Sequence, residues 1–291
     1  MKLLAISDLH VGHASNREAL AARKDHPDDW LILAGDVGER PAHLEFALQH
    51  LTRRFAKVFW VPGNHDLWTR PRVDPADQAD RPKGEVLYER LVALCRSFGV
   101  TTPEDPYVEW PPDRDTVIVP MFLLFDYSFR PSDVPFEQAV NWARESGVYC
   151  ADERLLDSAP WPTPVAWCHA RCALTERRLA ALSTSSRTVL VNHWPLRYDL
   201  ARPPRIPRFS IWCGTTITED WARRFRARVV VSGHLHLRTT LWRHGVRYEE
   251  VSLGYPRDWR RERGIDWYLR NILPEPAPAP PDLPPRDPFR I

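Results

Sequence analysis

Five times along this chain a short aliphatic run stops on a polar motif built from Asp, Asn and His. The motifs are Asp8-Leu9-His10, Gly35-Asp36, Gly63-Asn64-His65-Asp66, Asn192-His193 and Gly233-His234-Leu235-His236. The runs that precede them, residues 2–7, 30–35, 57–62, 188–192 and 229–232, are apolar throughout rather than alternating. Continuous runs of this length predict strands buried on both faces, the habit of parallel strands in α/β proteins. Helical spacing lies between the first of them. Residues 16–23 are one such stretch, and residues 43–55 carry Leu44, Ala47, Leu48 and Leu51 on a single stripe. Further helices are predicted over 86–98, 166–182 and about 219–225. A further strand is predicted over 116–124, and a hairpin pairs 239–243 with 246–252 around His244-Gly245. In open α/β sheets ligands collect at the carboxyl ends of the strands, where loops converge. Five such loops would bring two carboxylates, one amide and four or five imidazoles to one place.

Composition narrows what that place can be. The 291 residues carry 40 Lys+Arg against 38 Asp+Glu, a net charge of +2. That balance gives no overall electrostatic case for nucleic acid or an anionic membrane. The longest apolar run, residues 117–125, is broken by Pro120 and is about half the length a spanning helix needs. The start of the chain meets Asp8 and His10 too early to read as a secretory signal. With five scattered cysteines, reduced thiols in a cytoplasm are the expectation.

A cluster of Asp, Asn and His favours first-row transition metals over Ca²⁺ or Mg²⁺, which take all-oxygen shells. The donors outnumber what a single tetrahedral ion can use, so two metals are expected. A shared carboxylate would hold them about 3.5–4 Å apart, the spacing used for in-line phosphoryl displacement. The mixed donor set permits Mn, Fe or Zn.

The ordered series D-x-H, G-D, G-N-H-D, H and G-H-x-H resembles the calcineurin-like metallophosphoesterase superfamily over roughly residues 1–255. The stretches DDWLILAGDVGER, FAKVFWVPGNHDLWT, VPMFLLFDYSFRP, VLVNHWPL, FSIWCGTT and RYEEVSLGYPRDW are most similar to the actinobacterial 4′-phosphopantetheinyl hydrolases. The resemblance implies a four-layer α/β fold, a β-sandwich flanked by helices. It further implies one metal held by Asp8, His10, Asp36 and His236, and a second held by Asp36, Asn64, His193 and His234. Catalytic roles fall to His65, facing the scissile phosphate, and to Asp66, expected to orient its ring. Asp66 stands where the family's pattern leads one to expect Glu. The implied reaction removes 4′-phosphopantetheine from a holo acyl or peptidyl carrier protein, by attack of a metal-bridging hydroxide on phosphorus. The carrier is the implied partner; neither a membrane nor nucleic acid is.

The chain is read as one metallophosphoesterase domain over 1–273, with a cap-like insertion over about 126–164. An extended proline-rich tail follows over 274–291. Outside the metal motifs, His13, Tyr127, Arg130 and Trp212 are candidates for touching substrate. Core or cap packing is an equal reading for Tyr127 and Trp212. Carrier proteins are acidic, so Arg197, Arg202, Arg205 and Arg208, and then Arg257, Arg260, Arg261 and Arg263, are candidate docking residues. Two other readings stay open: a phosphodiesterase acting on cyclic nucleotides or other small diesters, and a non-catalytic module stapled by metal.

Overall fold

The computed structural model describes residues 1–69 and 82–275. Its first sheet holds β1 (Leu3–Ile6), β2 (His26–Leu33), β3 (Phe55–Trp60) and β10 (Arg270–Leu273), in the order β10-β1-β2-β3. The first three run parallel, and β10 lies antiparallel along β1. The second sheet has the order β4-β5-β6-β7-β9-β8. Its members are β4 (Val108–Trp110), β5 (Asp113–Pro120), β6 (Arg187–Val191), β7 (Ala227–Ser232), β8 (Thr240–Arg243) and β9 (Val246–Glu250). The four central strands are parallel and the two edges antiparallel.

Strand alternation explains the layers. Leu3, Ala5, Ile32, Ala34, Phe59 and Val61 point one way and meet Ile118, Val189, Val191, Val229 and Val231 of the second sheet in one buried cluster. Their neighbours Leu4, Ile6, Leu31, Leu33, Val58 and Trp60 point the other way, into a core shared with helical residues. Both faces of each central strand are therefore covered, which is why these runs show no polar alternation. On the first sheet the cover is α1 (Ala14–Ala21), α2 (Pro41–Leu51) and α4 (Gly84–Ser97), through Leu20, Leu44, Leu48, Leu51, Leu87 and Leu91. On the second it is α7 (Pro164–Ala180) and α8 (Trp221–Arg224), through Trp167, Cys168, Cys172, Leu179 and Trp221. The result is the expected four-layer sandwich.

The differences from expectation have local causes. The strand expected over 116–124 begins at Asp113 and stops at Pro120; Met121–Phe125 stay buried but leave the ladder. Strands β4 and β10 were not expected, because three or four residues at a sheet edge carry too short a pattern to read. The hairpin between β8 and β9 forms as expected, with His244 at φ 50° and Gly245 at φ 77°, the left-handed pair a two-residue turn requires. The segment 126–164, read as aperiodic, holds a 3₁₀ turn and two short helices, α5 (Ala139–Arg144) and α6 (Asp152–Leu155). The five cysteines are unpaired. No helix among the described residues is long and apolar enough to cross a membrane. All but the first two residues of the proline-rich tail lie outside the described residues.

Candidate metal centre

Each polar motif follows a strand end. Asp8 and His10 come after β1, Asp36 after β2, and His193 and His234 after β6 and β7; Asn64 opens α3 (Asn64–Leu67) after β3. A bridge between Ser7 and Ser252 ties the two sheets together at this edge. Asp8, His10, Asp36, His234 and His236 all have positive φ, between 41° and 74°. Non-glycine residues rarely occupy this region, and they do so mostly where function holds them. Here sharp turns aim consecutive side chains back over the strand ends. Two glycines permit the approach: a Cβ on Gly63 would lie 2.1 Å from Asp36 Oδ1, and one on Gly233 would lie 2.4 Å from Asp8 Oδ2.

Hydrogen bonds then fix which atoms face inward. Asp8 Oδ2 accepts from the hydroxyls of Ser7 (2.5 Å) and Ser252 (2.8 Å) and from the His234 N–H (3.2 Å). Its other oxygen is left facing His236 Nε2 at 3.1 Å and His10 Nε2 at 4.0 Å. Asp36 Oδ1 accepts the His65 N–H (2.8 Å), while Oδ2 faces His193 Nε2 (3.5 Å) and His65 Nε2 (3.8 Å). His193 Nδ1 donates to Ala34 O (2.9 Å) and His236 Nδ1 to Asp258 (3.1 Å). Each bond fixes the tautomer, so that Nε2 presents its lone pair to the centre. Asn64 directs Oδ1 to within 3.2 Å of His193 Nε2 and 3.1 Å of His234 Nδ1. Its amide nitrogen donates to Asp152 Oδ1 at 3.0 Å.

All seven residues that the sequence nominated as ligands thus meet in one cluster, with Asp8, His10, Asp36, Asn64 and His193 buried and His234 and His236 partly exposed. Asp8, His10 and His236, then His10, Asp36 and His65, and then Asp8, Asp36 and His193 each bring ligand atoms within 4.8 Å of one another, a spacing that could hold an ion. Electrostatics carry the same signature. Burial alone would raise Asp8 and Asp36, yet the surrounding histidines hold both well below the usual carboxylate range. Burial would lower His193 and His236; Asp36 lifts the first to about 10 and Asp8 the second to about 9. His10 and His234, where burial dominates, fall to about 4 and about 3. The two carboxylates thus favour positive charge beside them, the condition under which cations compete with protons for a site. His10 Nε2 and His236 Nε2 face each other at 3.3 Å, two imidazole nitrogens aimed at one spot. Two cations fit this donor set.

The catalytic expectations fare unevenly. His65 lies against the cluster, its ring 4.7 Å from that of His10. Asp66 does not reach the His65 ring. It sits in the first turn of α3 and folds back, accepting the backbone N–H groups of Asp36, Val37, Gly38 and Gly63 at 2.9–3.2 Å. That clamps the loops after β2 and β3 together. Beside His65 Nδ1 stands Glu39 instead, at 3.4 Å. With Asp36 it holds the His65 pKa above its ordinary value despite burial. Among the substrate candidates, Trp212 is wholly buried, and both its indole N–H and the Tyr127 hydroxyl are given to Glu153. Arg130 donates to the carbonyls of Val134 and Tyr127. These contacts tie Tyr127, Arg130 and Trp212 into and against segment 126–164. His13 is exposed and lines a recess of about 370 Å³ with His10, Glu39 and Arg40. Of the docking candidates, Arg197 and Arg208 are engaged with Glu219 and Glu145. Arg257 is 81% exposed over the ring of Tyr255, beside the centre.

Asp152, Glu39, Asp258 and Tyr255 were not found by the sequence reading. Glu39, Tyr255 and Asp258 fall inside stretches that carried the family resemblance but outside the five polar motifs, and Asp152 lies in a stretch without periodicity.

A profile of the calcineurin-like phosphoesterase family matches residues 1–238. Over 281 residues, 96% of this chain and 85% of the relative, the sequence is 49% identical to the acyl-carrier-protein phosphodiesterase PptH of Mycobacterium tuberculosis. The crystal structure of that phosphopantetheinyl hydrolase superposes with a TM-score of 0.88 at 48% identity, covering 96% of this chain and 98% of the other.

Proposed function

This chain belongs to the calcineurin-like phosphoesterase family, and on that premise we propose that it hydrolyses the phosphodiester joining 4′-phosphopantetheine to a serine of holo acyl or peptidyl carrier protein. The observation that carries this reading is the convergence of Asp8, His10, Asp36, Asn64, His193, His234 and His236 on one centre, in a chain nearly half identical to a carrier-protein phosphodiesterase along almost its whole length. Asp8, His10, Asp36 and His236 would hold one cation, and Asp36, Asn64, His193 and His234 the other, with Mn or Fe as the first candidates and Zn as a further one. Bound there, the pair would neutralise the anionic diester and make hydroxide available near neutral pH.

The protein's own side chains supply the remaining steps. Asp8 and Asp36, each with one oxygen tied down by donors, keep the ligand loops in place before substrate arrives. Asp152 keeps the Asn64 carbonyl turned inward by holding its amide nitrogen. The serine alkoxide is a poor leaving group, so a proton must reach it as the P–O bond breaks. His65, whose pKa Asp36 and Glu39 raise despite burial, would give that proton from its ring. The water oxygen ends on phosphorus, and the products are apo carrier and 4′-phosphopantetheine. Exposed Arg40 and Arg257 would meet acidic side chains of such a partner.

Incubating holo carrier protein with the metal-loaded enzyme and reading the intact mass tests the proposal directly. A mass loss equal to the phosphopantetheine arm is expected. An unchanged carrier, with hydrolysis of a small aryl or cyclic diester retained, would move the substrate to the small-molecule class.

A further inference from the structure

Tyr255 belongs to none of the five polar motifs, yet four imidazoles surround it. Its ring stacks on His10 with centroids 4.4 Å apart, and meets His236, His13 and His65 edge-on at 4.9, 5.7 and 6.4 Å. Its hydroxyl lies 3.5 Å from His65 Nε2, at the outer limit of a hydrogen bond. The phenolic proton is therefore not consumed by a strong partner.

We propose that Tyr255 is a catalytic residue of this centre, whose hydroxyl donates a hydrogen bond to a non-bridging phosphoryl oxygen of the ester held between it and His65. The inference rests on the phosphodiesterase reading and extends it to a residue that no motif marks. Three observations carry it. The ring is only half-buried, so it faces the cleft rather than the core. The donors nearest the centre are otherwise imidazoles beside two carboxylates; Tyr255 adds a neutral O–H at the mouth, where an anionic ester must enter. The third observation is rigidity, because the turn that carries Tyr255 is bolted to the ligand loops. Leu253 N–H donates to Ser7 O (2.9 Å) and Gly254 N–H to Asp8 O (3.1 Å). Tyr255 N–H donates to Asp258 (2.8 Å), the carboxylate that also holds His236. Asn16 donates to Gly254 O (3.0 Å) and is itself held by the Trp259 indole (3.1 Å). A donor fixed before the reaction costs no reorganisation when charge develops on the phosphoryl oxygens. Tyr255 keeps its proton throughout; no bond to it forms or breaks.

The test compares Tyr255→Phe and Tyr255→Ala in the metal-loaded full chain, using bis(p-nitrophenyl) phosphate alongside holo carrier. Tyr255→Phe keeps the ring on His10 and removes only the donor. It is expected to lower kcat/KM about 10²–10³-fold on the aryl diester, with metal content equal to wild type. Calorimetric affinity for orthophosphate should fall roughly tenfold or more, as for one lost hydrogen bond to a charged group. Wild-type kcat/KM and phosphate affinity in Tyr255→Phe, with only Tyr255→Ala impaired, would reduce the residue to ring packing and overturn the proposal. So would loss of metal from Tyr255→Phe. Because the aryl diester needs no carrier, failure of wild type on holo carrier alone sinks the carrier reading and leaves this one standing.

Discussion

At the scale of single residues, the centre works by removing choices. Each inward atom is selected by what its partner atom is given: the second oxygen of Asp8 by two serines, Nδ1 of His193 by Ala34 O, Nδ1 of His236 by Asp258. The sequence displayed the inward residues, because they sit in short motifs at strand ends. It hid the partners, which come from positions up to 244 residues away, as with Ser252 and Asp8, or 88 away, as with Asp152 and Asn64. Asp66 shows the limit of carrying a role by adjacency, since the first turn of α3 points its carboxylate to backbone N–H groups and leaves His65 to Glu39. His65→Ala should therefore keep both metals, measured by elemental analysis, and lose about 10²–10⁴-fold in turnover. Glu39→Gln should produce a smaller loss and shift the acidic group of the pH–rate profile downward, since Glu39 helps raise the His65 pKa. A profile identical to wild type would remove Glu39 from that role.

Protonation gives a second prediction at this scale. In chelated protein, Asp36 and Asp8 lift His193 to about 10 and His236 to about 9, against an ordinary value of 6.5. Groups raised on folding stabilise the fold fully below the ordinary value and lose that contribution as pH climbs through the raised one. The melting temperature of metal-free protein should thus fall between about pH 7 and 10. Metal-loaded protein, whose imidazoles are already deprotonated by their ligand role, should change far less over the same range. Equal pH slopes for the two forms would count against these histidines being ligands.

At the scale of elements, the turns after the strands matter more than the strands themselves. Continuous apolar runs made β1, β2, β3, β6 and β7 legible, since burial on both faces leaves a pattern any reader can find. The edge strands β4 and β10 left none, because their length is three and four residues and one side has no neighbour. The turns could be placed but not shaped: nothing in Asp8-Leu9-His10 announces that both polar residues take positive φ. Gly63→Ala tests this scale. Its Cβ would meet Asp36 Oδ1 at 2.1 Å and Asp36 N at 2.5 Å, so the shared carboxylate must move. Overpacking of this kind costs about 1–3 kcal/mol, seen as a lowered melting temperature, and metal stoichiometry should fall below two per chain. Full stoichiometry in Gly63→Ala would show that Asp36 has room the structure does not give it.

At the scale of the whole molecule, the two sheets are joined exactly where the chemistry sits only in the sense that both sets of strands point their carboxyl ends to one edge. The first sheet brings Asp8, His10, Asp36 and Asn64; the second brings His193, His234 and His236. Neither half holds a complete set of donors, so packing of the inner faces through Ala5, Ile32, Val191 and Val231 is a condition of metal binding. The segment 126–164 adds Asp152 behind Asn64, which ties that segment to the centre through a hydrogen bond of 3.0 Å.

By itself the sequence determined the strand interiors, the helical stripes and the identity of the inward-facing donors. Each of these is a local matter of hydrophobic period or of residue type at a chain position. Only the tertiary structure decided that Glu39 rather than Asp66 flanks His65, that Asp152 and Asp258 steady the ligands, and that Tyr255 overhangs the cleft. Those relations join parts of the chain that share no periodicity, and they come into being only when two sheets close on each other and fix which side chains meet.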